Sequence, residues 1–157
     1  MSRITYDEYD DDGAELRAGR WLARERAVYR GKPAQRHFRL LRDALLAMPE
    51  HRLIEGQLCD ENGGVCALGA MALHGITPED AEQAFLDMRI VEPCEEGVAA
   101  WAQDRFGSGM SGTLAWLIQE QNDKAQSDPR LPATATTPSA RWTEVLSWAQ
   151  AHIREEA

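Results

Sequence analysis

The chain predicts a mainly α protein: a single compact domain of six or seven helices. Three observations lead there. Apolar residues recur at helical spacing along most of the chain, helix-starting and helix-stopping residues punctuate those stretches, and only one segment has the outline of sheet. A length of 157 residues suits one domain with a real hydrophobic core, and 43% hydrophobic with 27% charged residues is a globular balance. No internal repeat is visible.

Residues 1–12 carry five acids, Asp7, Glu8, Asp10, Asp11 and Asp12, in a polar run that buries nothing, and are predicted to be disordered. Residues 13–157 form the helical domain. Asp12 can cap a first helix reaching about Arg30, with Trp21, Glu25 and Val28 on one side, before Gly31 and Pro33 break it. The second helix is the clearest. Ala34, Phe38, Leu41, Leu45 and Met48 make one stripe, Arg36, Arg39 and Asp43 lie opposite, and Pro49 ends it. The link that follows, with "RLIEGQLC" and the pair Asn62-Gly63, is compatible with a short β-hairpin near residues 52–65.

"CALGAMALHG" reads as a third helix, with Cys66, Gly69, Ala70 and Leu73 on one face and Gly75 as its stop. Thr77 and Pro78 open a fourth, and "MRIVEPCEEG" reads as a loop. Helices over 97–106 and 111–122 flank the turn "GSGMSG". Residues 123–138 hold three prolines without periodicity and are predicted to be a long loop. Thr137 and Pro138 begin a final helix, with Trp142, Val145, Leu146, Ala149 and Ile153 on its stripe.

No apolar window approaches the length of a bilayer span, and "MSRITYDEYDDDG" has no secretory core. Three cysteines with spacings of 7 and 28 form neither a disulfide framework nor a metal knuckle. Reduced thiols in a cytoplasm are the expectation, with no membrane partner. The net charge of −9 is unevenly spread. Between Arg17 and Arg42 stand nine basic residues and one acid, Glu25. That stretch either meets an anionic partner or pairs with the protein's own acids. Arg30, Lys32, Arg36 and Arg39 are its candidate anion or nucleic-acid contacts.

The opportunities for catalysis are few. Cys66 heads a helix, a position that favours thiolate, so a cysteine-dependent enzyme is one reading. Its face of small residues points instead to a buried cysteine packed where another backbone comes close. His74 lies two turns along the same helix, too far to serve it as a base. His37, His51, His74 and His152 are scattered without ligand spacing, so no metal and no other cofactor is expected. "GSGMSG" lacks the Gly-Lys-Ser/Thr ending of a phosphate-binding loop. The helices around it outline a helix-turn-helix, but the second carries Glu120 and no cation to meet phosphates.

Five tryptophans are a notable excess. Trp142 belongs to a core stripe, Trp116 lies away from Leu114, Leu117 and Ile118, and Trp148 flanks its stripe. Trp116 and Trp148 are therefore the candidate anchors for a partner.

Several segments together resemble a family of small, largely uncharacterised bacteriophage and prophage proteins. They are "RGKPAQ" at 30–35, "MPEHRLI" at 48–54, "CALGA" at 66–70, the pair Asn122-Asp123, and Arg141-Trp142 in the last helix. The likeness covers about residues 29–76 and 111–153; residues 77–110 depart from it, and "EQND" stands where Glu-Asn-Asp is usual. It implies a phage accessory protein of the bacterial cytoplasm and supplies no catalytic assignment. Small acidic phage proteins often occupy a host protein, defence systems included. The expectation is thus a binding protein without catalysis, its partner a host or viral protein. A nucleic-acid-binding protein using residues 17–42 and an enzyme built on Cys66 are the alternatives.

Overall fold

Proline in a first turn and an apolar stripe behind it build α1 (Lys32–Ala47). Its Ala34, Phe38, Leu41 and Leu45 are all buried, as the stripe predicts. The structure is a computed structural model that describes residues 28–107, 109–127 and 137–154. The disordered segment expected over 1–12, most of the first expected helix and the prolines of the expected long loop lie outside the described residues. Residues 28–30 are helical and end at Gly31.

Five further helices follow: α2 (Ala67–Leu73), α3 (Pro78–Arg89), α4 (Glu95–Phe106), α5 (Gly112–Ser127) and α6 (Pro138–His152). The described residues are therefore mainly helical. Thr77 and Thr137 cap α3 and α6 through their hydroxyls, which accept from the Asp80 and Ala140 amides at 3.2 Å. At the middle of the arrangement sits α2, packed against α1, α3, α4 and α5. Residues Ala67 to Ala72 are all buried. Seven residues are too few for a stable isolated helix, so tertiary burial holds this one.

Helix α1 packs on α6 and α2, and α5 packs on α4 and α6. One hydrophobic cluster runs through these elements, from Phe38 and Leu45 through Leu68 and Met71 to Leu114, Ile118 and Val145. Helix α3 contributes only Ala84 and Met88 as buried residues and leaves Leu86 and Ile90 largely in solvent. No helix among the described residues is long and apolar enough to cross a membrane.

Three expectations are corrected. The hairpin near 52–65 is not formed: the described residues contain no strand, and a single antiparallel bridge joins Cys59 to Val65. The Asp60 carboxylate accepts from the Asn62 and Gly64 amides at 2.9 and 2.7 Å, and the Gly56 amide turns away to Asp123. A side-chain turn thus takes donors that a ladder would have used. Helix α4 begins at Glu95 rather than 97, because the Cys94 sulfur caps it by accepting from the Gly97 amide at 3.4 Å. Helix α5 runs on to Ser127, taking in the first residues of the expected loop 123–138. Its first proline, Pro129, lies beyond that point, so nothing covalent stops the helix earlier.

Candidate functional site

The residues with chemical potential fall into two groups: those that hold the fold and those that line open space. Asn122 leads the first. It is 1% exposed, and its Oδ1 accepts from the Ala67 amide at 2.9 Å, the first helical residue of α2. Its Nδ2 donates to the Ile54 carbonyl at 2.8 Å and to Asp123 Oδ1 at 2.9 Å. Asp123 Oδ1 also accepts from the Gly56 amide at 3.1 Å, and its Oδ2 from Gln119 Nε2 at 3.0 Å. One helix of polar side chains thereby fastens both the bent loop at 54–56 and the start of α2.

Cys66 stands beside this node as the N-cap residue of α2, fully buried. Burial pushes its thiol up to about 12, against the smaller downward pull of the nearby amides. A thiol held protonated to that extent is not a nucleophile at neutral pH. The small-residue face beside it has a specific use: a Cβ on Gly69 would lie 2.6 Å from the Leu58 carbonyl oxygen. The backbone that approaches is the loop at 58–65, not a second helix. Cys59 is buried as well, whereas Cys94 is exposed at its cap.

Gln35 and Arg141 make the remaining ties. Gln35 Nε2 donates to the Tyr29 and His152 carbonyls at 3.1 and 2.7 Å, while its Oε1 accepts from the Arg154 amide at 2.7 Å. It joins the turn before α1 to the end of α6. Arg141 Nη1 donates to the Leu53 carbonyl at 2.6 Å, and its Nη2 pairs with Glu55 Oε2 at 3.1 Å. Trp142 Nε1 donates to the Leu45 carbonyl at 3.1 Å, and its ring stacks on His51 with centroids 3.8 Å apart. Leu53-Ile54, Ala67, Asn122 and Arg141 therefore meet one another as structural joints, while Gln35 makes a separate one at the end of α6.

The candidate partner contacts fall elsewhere. Trp116 is half-buried on the flank of α5, beside the exposed Glu120 one turn on. Trp148 is half-buried within a ring cluster, 5.2 Å from Phe38 and 6.3 Å from Tyr29, with His152 at 5.2 Å. Arg30, Lys32 and Arg36 are exposed, and Arg39 donates to the Arg154 carbonyl at 3.0 Å. Lys32, Arg36 and Arg39 follow one another along the outward side of α1, with Asp43 beyond them.

One constellation has no signal in the linear sequence. A cavity of about 650 Å³ is lined by Arg36 and His37 of α1, His74 after α2, and Arg105 and Phe106 of α4, with an apolar wall of Leu40 and Met71. No described acid lines it. Arg105 Nη2 donates to the Ala72 carbonyl at 2.7 Å, which anchors that guanidinium at the C-terminal end of α2. His37 is 3% exposed, and neither ring nitrogen has a hydrogen-bond partner among the described residues. Leaving a buried polar group unsatisfied costs about 1–3 kcal/mol. Burial first, and the Arg36 charge second, lower the His37 pKa and keep the ring neutral. Sequence spacing could not find the group, because positions 36–37, 74 and 105 are joined only by the packing of three helices.

Among the described residues no cluster of three or more His, Cys, Asp or Glu side chains could hold a metal ion. No protein-family model, curated protein or solved structure matches the chain.

Proposed function

We propose that this is a phage-type accessory protein of the bacterial cytoplasm that acts by binding a host or viral protein rather than by catalysis. One observation carries the reading. The side chains most suited to chemistry are committed to holding the fold: Cys66 is sealed and protonated, and Gln35, Asn122, Asp123 and Arg141 bond across helices. That leaves the surface as the working part. Trp116 on the flank of α5 offers a partly exposed ring, and a tryptophan brings much contact area for few rotamers.

Affinity capture from bacterial lysate, with prey identified by mass spectrometry, tests the reading. The expected result is a discrete protein partner that is lost with Trp116→Ala while the protein stays folded, with a smaller fall in unfolding midpoint than Trp142→Ala gives. Rapid stoichiometric alkylation of Cys66 in the folded protein would overturn it in favour of a cysteine enzyme.

A second reading is favoured by the row Lys32, Arg36 and Arg39 on the outward side of α1. A nucleic-acid partner there would give binding that weakens steeply with salt, through release of phosphate counterions. Charge reversal at Lys32 and Arg36 should abolish retention on DNA or RNA at physiological salt if that reading is correct. No retention by the parent protein excludes it.

A further inference from the structure

We infer that the cavity between α1, the end of α2 and α4 is a binding site for a small phosphorylated ligand, held by Arg36, Arg105, His37 and His74. The site is separate from the Trp116 face and does not depend on it.

The argument begins with convergence. Three elements bring two guanidiniums and two imidazoles to the lining of one cavity of about 650 Å³, with no described acid among the lining residues. Guanidinium is the group best shaped for a phosphate, because its planar fork can donate two parallel hydrogen bonds. Arg105 is already oriented by the Ala72 carbonyl, so less freedom is lost when it engages a ligand.

His37 is the independent observation. It is 97% buried, lines this cavity, and has neither nitrogen partnered among the described residues. A ring with no bonding role would be better replaced by phenylalanine, which fits the same edge-on packing against Phe106, 6.2 Å away between centroids. Both ring nitrogens are sealed from solvent in the free protein, so the imidazole becomes a donor when its ring turns toward a ligand in the cavity. Leu40, Met71 and Phe106 supply an apolar wall for the body of the ligand, so a phosphate attached to an organic group fits better than phosphate alone.

The charged and titratable groups facing His37 are Arg36 on its own helix, His74 at the end of α2, and Arg105 on α4. Burial first and the Arg36 charge second lower the His37 pKa in the free protein. A bound phosphate reverses that field and favours the imidazolium, so affinity should rise as pH falls below the ordinary histidine range.

Calorimetric titration of the full chain with inorganic phosphate and with adenosine monophosphate is the test, repeated for Arg105→Gln and His37→Phe. The expected result is saturable binding, tighter for the nucleotide and tighter at lower pH. Arg105→Gln should weaken it about ten- to hundred-fold, the usual loss for a charged hydrogen bond, in a protein that stays folded with a modestly lower unfolding midpoint because the bond to the Ala72 carbonyl is weakened as well. His37→Phe should raise the unfolding midpoint of the free protein yet abolish the pH dependence and weaken binding. A merely structural histidine would give the first of these effects without the others. The proposal is overturned if neither probe binds, if binding survives both substitutions, or if a single-stranded oligonucleotide binds while both small probes fail.

Discussion

Cys66 and Asn122 illustrate how little a residue's type says until its neighbours are known. Both have chemical potential, and both are fully or almost fully buried at the start of α2. Asn122→Ala should destabilise the protein by about 2–4 kcal/mol, since it strands the Ala67 amide and the Ile54 carbonyl without partners. Denaturant unfolding measures this, and a loss below about 1 kcal/mol would mean water replaces the amide freely. Cys66 also makes a statement about pH. Its thiol ordinarily titrates near 9.0 and is raised to about 12 in the fold. Unfolding between those values releases a proton, so stability is complete below pH 9.0 and declines as pH rises toward 12. Cys66→Ala should flatten that alkaline decline in thermal scans. His37 works in the opposite direction: its lowered pKa means the unfolded chain takes up protons first, so stability falls as pH drops through the ordinary histidine range.

At the scale of elements, α2 depends most on its surroundings. Gly69 lets the loop at 58–65 come within van der Waals distance, and a Cβ there would stand 2.6 Å from the Leu58 oxygen and 3.0 Å from the Val65 Cβ. Gly69→Ala gains helix propensity, about 1 kcal/mol on host–guest scales. The backbone clash should outweigh it, for a net loss of about 1–3 kcal/mol. A stabilised Gly69→Ala variant would show that the loop can retreat at little cost. The α5 and α6 tryptophans divide by the same logic. Trp142 is buried, stacks on His51 and bonds the last turn of α1, so Trp142→Ala should cost about 3–5 kcal/mol. Trp116 is only partly buried where it packs against the core, and its replacement by alanine should cost less than that of Trp142. Equal losses in parallel melts would place Trp116 in the core and remove it as a docking anchor. The rings of Phe38, Tyr29 and His152 already surround Trp148, so it has less free area than a lone surface ring.

Across the whole molecule, long-range hydrogen bonds from a few side chains close the helical arrangement. Gln35 spans α1 and the end of α6, Arg141 spans α6 and the loop before α2, and Asn122 spans α5, that loop and α2. Their placement also explains why a loop as long as 48–66, with one bridge and no ladder, keeps a defined path. The Leu53 and Ile54 carbonyls and the Gly56 amide are taken by side chains on two different helices, and backbone bonds such as Ile54 to Val65 and Cys66 to Leu58 hold the rest of its course.

The helices themselves were legible in the sequence. Apolar stripes, Pro33, Pro78 and Pro138 in first turns, and the threonine caps are local, and a helix is built from contacts within four residues. Their ends were less so. A sulfur cap at Cys94 and the continuation of α5 past Asn122 carry no strong residue signal. The hairpin expectation failed because alternation and an Asn-Gly pair report what a segment can do. What it does was decided by Asp60 and by Asn122 and Asp123 competing for its backbone groups. The cavity of Arg36, His37, His74 and Arg105 was beyond sequence reading altogether. Periodicity records which side of each helix turns inward, but which residues of three separate helices meet there depends on how the helices cross, and that is a property of packing alone.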